Sequence, residues 1–493
     1  MQLNHSTSGS SGSRKPDASG DRRLTAASVA GQLALATATL LGHSAEAADQ
    51  GWQVDSGLLI YQEADDRVSA VEPALDFVRQ VDEDTSLRIH LVYDTLTGAS
   101  PNGAMPANKP QTFTSASSAG ITASSYSDYS TSAVSMTRSS PSSSSRTDHD
   151  DDDDGEGGGS TYTAAAGERP LDQSFEDQRY VVGLGWTTKL TPVWQASVGG
   201  SYSTESDFTS YSVNGAIARE LNNKNTTLSL GTNLEYDIIT PHGGTRKALS
   251  RYDQASIVSE QESKTVADLS LGLSQVFTRR WISRFNLGVS HASGYQADPY
   301  KFLTVAADGN LIDSIDSYLY LYESRPEQRT KYTFYWQNKL ALTNDDVLDT
   351  SWRYMTDDWG IRSHTADMSL HWQLGSNWYL KPHYRWYRQT AADFYKPFLQ
   401  AGSDVTVVGQ GYVPQLKYAS ADGRLGAFSA VTTGLQLGYQ MADNSELSIA
   451  LERYRQIDNN RHIDVPQGSD LSGMDQFAET RAWWLRARYS FHW

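Results

Sequence analysis

From Trp52 onward the chain repeats one pattern, an apolar side chain at every second position over long segments. Successive side chains of an extended strand point to opposite faces, so each such segment carries one apolar and one polar face. Thr227 to Ile239 is the clearest example. Leu228, Leu230, Leu234, Tyr236 and Ile238 share one face, and Ser229, Gly231, Asn233, Glu235 and Asp237 share the other. The pattern recurs at Leu87, Ile89, Leu91 and Tyr93, at Tyr180, Val182, Leu184 and Trp186, and at Val431, Thr433, Leu435, Leu437 and Tyr439. Sixteen segments qualify: 52–63, 67–81, 86–98, 179–191, 194–205, 209–221, 226–239, 265–278, 281–293, 330–343, 347–357, 363–375, 378–391, 427–441, 446–457 and 478–493. Soluble strands average about 5–6 residues. These segments suit tilted membrane strands of about 9–11 residues with projecting ends. The body of the chain has no run of about 20 apolar residues, which excludes a helical membrane protein.

The connections point the same way. Short turns such as Thr191-Pro192-Val193, Asn222-Asn223-Lys224-Asn225 and Ala442-Asp443-Asn444-Ser445 carry turn chemistry. The longer connections, 99–178, 240–264, 294–329, 392–426 and 458–477, all fall on the opposite side. A barrel with short periplasmic turns and long outer loops sorts its loops this way. The expected fold is therefore all-β: a transmembrane, antiparallel, up-and-down β-barrel of about 16 strands with long extracellular loops. It would be embedded in outer-membrane lipid.

In the last segment Trp483, Leu485, Ala487, Tyr489, Phe491 and Trp493 alternate with Trp484, Arg486, Arg488, Ser490 and His492. A terminal aromatic with apolar residues at alternate positions places Tyr489, Phe491 and Trp493 against lipid. It resembles the assembly signal read by the barrel-insertion machinery. The aromatic content, 11% with 27 Tyr and 13 Trp, suits interfacial girdles.

At the other end, Arg22 and Arg23 precede a moderately apolar, uncharged stretch from Leu24 to Gly42, followed by Ala45-Glu46-Ala47. This order predicts a secretory signal peptide over 1–47 behind a long polar lead, with cleavage near Ala47 or Ala48 and residues 48–493 forming the barrel. The competing reading is a disordered tail with an Ala-rich helix. The absence of cysteine excludes disulfides, thiolate catalysis and Cys-ligated metal sites. The formal charge is -17. A chain so acidic is a poor binder of nucleic acid and attracts cations at long range.

Residues 99–178 form the longest connection. Its Ser/Thr/Ala/Tyr-rich part, about 112–145, and the acidic run Asp148 to Glu156 cannot bury a core, which predicts a largely disordered outer loop. Asp150, Asp151, Asp152, Asp153 and Asp154 offer hard oxygen ligands to a divalent cation. They lack the spacing of an EF-hand, and the plainer reading is a solvated charge run. No other cofactor is implied.

Two segments carry a family resemblance: Tyr61-Gln62-Glu63-Ala64-Asp65-Asp66-Arg67-Val68 with Val71-Glu72-Pro73, and Tyr93 to Ala104, Tyr-Asp-Thr-Leu-Thr-Gly-Ala-Ser-Pro-Asn-Gly-Ala. With the barrel pattern they resemble the bacterial outer-membrane proteins catalogued as domain of unknown function 3570, over essentially the whole mature chain. The resemblance implies no established activity and no catalytic residues. It implies a periplasmic or lipoprotein partner and a link to a redox or metal-related pathway, because members tend to be encoded beside a flavin transferase. The same segments have a reading of their own. Glu63, Asp65, Asp66, Arg67 and Asp94 fall at the outer rim on neighbouring strands and are expected to form one polar cluster. Gly98 and Gly103 permit tight backbone turns there.

The polar faces define the lumen, with Arg88, His90, Asp94, Glu235, Asp237, Asp268, Arg284, Lys381, Arg385, Arg486 and Arg488 among its lining. Lys381, Arg385, Arg486 and Arg488 are expected to form a basic strip facing acids such as Asp237 and Asp268 across the pore, with wall-bracing ion pairs as the alternative. Sixteen strands leave room for an aqueous channel. Asp367 and His371 share a face but lie about 13 Å apart, and no G-x-S-x-G or H-E-x-x-H motif occurs. The sequence thus points to a porin-like channel or envelope transport component rather than an enzyme. The alternative is a surface-displayed interaction or metal-binding barrel.

Overall fold

A computed structural model describes residues 51–64, 67–98, 101–114, 161–172, 175–307, 319–408 and 411–493. The expected signal segment, Asp65, Asp66 and the acidic run with Asp150 to Asp154 lie outside them.

Sixteen antiparallel strands close into one barrel: β1 (Trp52–Glu63), β2 (Ser69–Gln80), β3 (Thr85–Thr97), β4 (Glu176–Thr191), β5 (Trp194–Thr204), β6 (Phe208–Leu221), β7 (Thr226–Ile239), β8 (Glu262–Thr278), β9 (Trp281–Gly294), β10 (Gln328–Ala341), β11 (Val347–Asp357), β12 (Arg362–Leu374), β13 (Trp378–Gln389), β14 (Phe428–Gln440), β15 (Glu446–Asp458) and β16 (Arg481–His492). Each pairs with its neighbours in sequence, and β1 pairs with β16 from Gln53↔His492 to Glu63↔Ala482. The Trp493 and Trp52 amides extend this seam, exchanging backbone bonds of 2.6 and 2.7 Å. Closure leaves no sheet edge unpaired, which a strand in hydrocarbon requires.

The alternation sets the barrel's two faces. On β7, Leu228, Leu230, Leu234 and Tyr236 are exposed, whereas Asn233 and Asp237 between them are 1% and 0% exposed. Aromatic pairs bracket this outward apolar band. Tyr93–Tyr180 and Tyr202–Tyr211 (5.0 and 5.2 Å between centroids) stand at the end bearing the long loops. Phe277–Trp281, Trp378–Tyr439 and Tyr489–Phe491 stand at the other. Two such girdles mark the membrane interfaces.

The long loops fold together, which their composition did not announce. The largest fully buried side chains include Phe113, Phe398, Met105, Leu303, Leu321, Leu399 and Leu471, all outside the barrel strands. Leu303, Leu321, Leu399 and Ala419 form one core with Leu249. Met105, Ala107, Ala306, Phe398 and Leu471 form a second, drawn from four loops. Ala104, Phe113, Phe302 and Tyr320 form a third. Strand Phe302–Ala306 pairs antiparallel with Tyr320–Tyr322 and parallel with Leu399–Gln400. Burying each such leucine or phenylalanine contributes about 1.5–3 kcal/mol. The loops are therefore a folded cap rather than separate excursions. The expectation for 99–178 needs correction at both ends: 101–114 and 161–172 belong to the cap, with a hairpin Gln111–Thr114/Thr161–Ala164 between them. Apolar residues such as Met105 and Phe113 are too sparse in that segment to give a periodic signal, and they are buried by other loops.

Candidate functional site

The candidate site is the lumen wall and the cap seated on its outer end. Phe477 of the last loop packs on Phe428 and Ala430 of β14, with Tyr387 of β13 and Tyr454 of β15 alongside. Trp359 and Ile361, in the β11–β12 turn, pack on Ala392, Phe394 and Leu425 of the β13–β14 loop. Within the cap, charges form a buried hub. Arg325 Nε lies 2.7 Å from Glu323, and an Arg325 terminal nitrogen lies 2.9 Å from Asp422. Arg424 donates to Asp422 through Nε (2.8 Å) and to Asp298 (3.0 Å). Lys301 donates to the Pro101 carbonyl, tying in a third loop. Burial alone would raise the Asp422 carboxyl, but Arg424 and Arg325 together hold it well below the usual carboxylate range.

Down the wall, the sequence-predicted charges pair with their neighbours. Arg385 lies 2.8 Å from Asp367, Arg486 3.1 Å from Glu452, and Arg488 2.9 Å from Asp55. His383 stands between Asp367 and Glu452, 3.2 Å from each. Lys381 lies two positions from His383 on β13, opposite Gln436. Arg88 Nε donates to Asp76 at 2.7 Å, and His90 lies 3.4 Å from the same carboxylate. Asp237 pairs with Lys264 at 2.8 Å, and Asp268 accepts from Asn233 at 3.2 Å. Glu235 is flanked by Ser212 and Val266. Arg284 faces Gln337, which donates to both oxygens of Asp349. The expected basic strip facing acids across the pore is thus corrected. Both sets are present, but Arg385, Arg486, Arg488 and Asp237 are each held by an adjacent strand, where a partner about 5 Å away offers far more Coulomb energy than one across a lumen. Asp55, Asp76 and Glu452 were missed as partners; each occupies an inward position of the same alternation, and that parity was the available signal.

The outer-rim residues divide. Glu63 pairs with Arg67 (3.1 Å), accepts from Tyr61, and Arg67 caps the Glu479 carbonyl. Asp94 instead pairs with Arg179 (3.2 Å), which also approaches Glu72 (3.8 Å). Among the described residues the expected cluster divides in two, Glu63 with Arg67 and Asp94 with Arg179 of β4, while Asp65 and Asp66 lie outside them. Gly98 and Gly103 do adopt the left-handed conformation, φ +101° and +90°. Beside Arg179, the ligand oxygens of Asp177, Glu205 and Asp207 lie within 4.8 Å of one another. Burial, then Asp177 and Asp207, push the Glu205 carboxyl up to about 7. These three oxygen donors are the described residues whose chemistry suits a hard cation. No pattern along the chain hints at them, since Asp177 and the β5–β6 turn meet only through strand pairing.

Several solved barrels are similar in fold alone. A ferric enterobactin receptor from Pseudomonas aeruginosa is 9% identical with TM-score 0.36, over 83% of this chain and 54% of the receptor. A bacterial polysaccharide outer membrane secretin is 6% identical with TM-score 0.40, over 90% and 99% of the two chains. OccK5 from Pseudomonas aeruginosa is 8% identical with TM-score 0.36, over 90% and 98%. The chain spans little more than half the length of the receptor. No curated protein matches the sequence. Residues 22–491 match the family described as protein of unknown function DUF3570, nearly the whole chain, and the protein belongs to that family.

Proposed function

We propose that the protein is a gated channel of the bacterial outer membrane, with the folded cap as its gate. One observation carries this reading. The inner wall of β5, β7 and β8 is lined by small polar residues whose buried oxygens, Ser197 Oγ, Ser229 Oγ, Asn233 Oδ1 and Ser270 Oγ, have no protein partner. A polar atom buried without a hydrogen bond costs about 1–3 kcal/mol, so these oxygens, closed to solvent in the present state, gain partners when water enters the lumen as the mouth opens. The opposite wall, β12 to β16, is stiffened by its ion pairs, and a hydrated barrel of sixteen strands passes small polar solutes once its mouth opens.

The absence of cysteine allows a clean test. Ser324 and Ala419 exchange two backbone bonds of 2.9 Å between the β9–β10 and β13–β14 loops. Their Cα atoms are therefore about 5.5 Å apart, within reach of a disulfide. In planar bilayers, the Ser324→Cys/Ala419→Cys protein should conduct when reduced and fall silent when oxidised. Silence in both states, with the wild type also silent, sinks the channel reading. The folded cap favours a second reading, a surface platform that recognises a partner, and silence in both states supports that instead; conduction indifferent to the lock removes the cap as the gate.

A further inference from the structure

On the lipid-facing side of the outer rim, basic residues are gathered on neighbouring strands from β12 to β16. On β15 the outward positions run Leu447, Ile449, Leu451, Arg453, Arg455 and Ile457, so two cations interrupt the apolar face near its outer end. Arg362 of β12 and Arg388 of β13 stand at the same end, each exposed or part-exposed beside a buried inward neighbour, Ser363 and Gln389. Arg481 of β16 is exposed directly opposite Arg455. The corresponding outward ends of β1 to β11 carry uncharged residues such as Thr95, Gln178, Thr209, Thr265 and Thr356, with Glu176 the one formal charge among the described residues.

Two features make this more than a solvated fringe. Arg362, Arg388, Arg453 and Arg455 make no side-chain hydrogen bond or ion pair among the described residues, whereas the lumenal Arg385, Arg486 and Arg488 are paired. Arg455 also faces Arg481 in register, and like charges opposite one another across a strand pair repel. Exposed acids near the patch, Asp358 and Glu479, accept from the backbone N–H groups of Thr330 and Asp458. Arg362, Arg388, Arg453 and Arg455 thus keep their donors open to an anionic group from outside the protein. By register the four arginines run diagonally across β12 to β15, each about 7–12 Å from the next, so neighbouring guanidiniums face the phosphates of one headgroup together. Trp386 and Trp483 lie one outward position below Arg388 and beside Arg453, which sets the arginines at headgroup depth.

We propose that this patch binds a phosphorylated glycolipid of the outer leaflet, its acyl chains lying on the apolar band below and its phosphates bridged by Arg362, Arg388, Arg453 and Arg455. Guanidinium groups match phosphate geometry through paired donors. The inference rests on the membrane-spanning reading and on the loop end facing outward, and is independent of conduction.

The test uses the purified full-length protein in detergent, with bisphosphorylated lipid A and its dephosphorylated form as probes and native mass spectrometry as readout. Each arginine near the anionic headgroup is worth about fivefold in affinity. The Arg362→Gln/Arg388→Gln/Arg453→Gln/Arg455→Gln protein should bind the bisphosphorylated lipid at least about 100-fold more weakly, and the four-lysine version should retain most of the binding. Should the four-glutamine protein lose its heat-modifiable folded band, Arg453→Gln/Arg455→Gln is read instead, with about a 25-fold loss expected. Unchanged binding in the variants, or equal binding of the dephosphorylated lipid, overturns the proposal. A lipid-free wild-type oligomer that the variant converts to monomer also overturns it, because the patch would then be a protein interface.

Discussion

Replacing Asp422 by asparagine should unlatch the cap while leaving the barrel intact. The Asp422 side chain is 4% exposed and accepts from Arg325 (2.9 Å) and from Arg424 through Nε, a terminal nitrogen and the backbone N–H. Asparagine preserves the shape and removes the charge. The buried Arg325 guanidinium and the largely exposed Arg424 then share Glu323 and Asp298, and the amide nitrogen that replaces one carboxylate oxygen can only donate, so it faces donors it cannot accept from. Removing one partner of a buried ion pair typically costs about 3–5 kcal/mol. That raises the opening equilibrium of the cap roughly 10²- to 4 × 10³-fold. Hydrogen exchange on detergent-folded protein reads this directly. The Ala392, Lys396 and Ala419 amides, bonded to Leu425, Ser420 and Ser324, should exchange faster by that factor. Strand amides such as those of β7 and β8 should be unchanged. Cap amides that exchange at the wild-type rate would refute the hub as the latch. Equal acceleration of the strands would refute the cap as a unit separable from the barrel.

Three further outcomes follow. Because the Asp422 carboxyl is held below its ordinary value, the stability it contributes is present above about pH 4 and is lost only as pH falls further; cap exchange corrected for intrinsic rates should therefore be flat between about pH 5 and 8. Glu205 behaves oppositely, since its raised value, about 7, contributes stability that is full below about pH 4.5 and fades as pH rises through 7; protection of the 205–207 turn should fall from about pH 5 to pH 8, and Glu205→Gln should remove that dependence. Gly103→Ala should destabilise the cap by at least about 1–2 kcal/mol, since a Cβ at φ +90° would sit 2.6 Å from the Phe302 carbonyl oxygen; cap protection should fall with the barrel's heat-modifiability intact.

The barrel was legible because its physics is local and periodic. Lipid demands an apolar residue at every second position, so β7 and β16 can be recognised one strand at a time, and the sorting of turns and loops then fixes strand order and the side on which each end lies. Even Gly98 and Gly103 were legible, because a left-handed residue in a rim loop asks for glycine wherever the loop goes. The partners of the lumenal charges were not. Arg486 pairs with Glu452 and Asp94 with Arg179 because of register, and a shift of two residues would change both pairings without altering the alternation of any strand. The cap was the least legible of all. Met105, Phe302, Phe398 and Leu471 sit in stretches without period, and each becomes a core residue only when loops far apart in the chain meet. The sequence alone therefore determined a closed barrel in a membrane, its strand count and its orientation, since those follow from the spacing of residues along the chain. The tertiary structure alone decided which charges neutralise one another and that the loops pack into one folded unit, since these depend on distances between residues that the chain brings together only by folding.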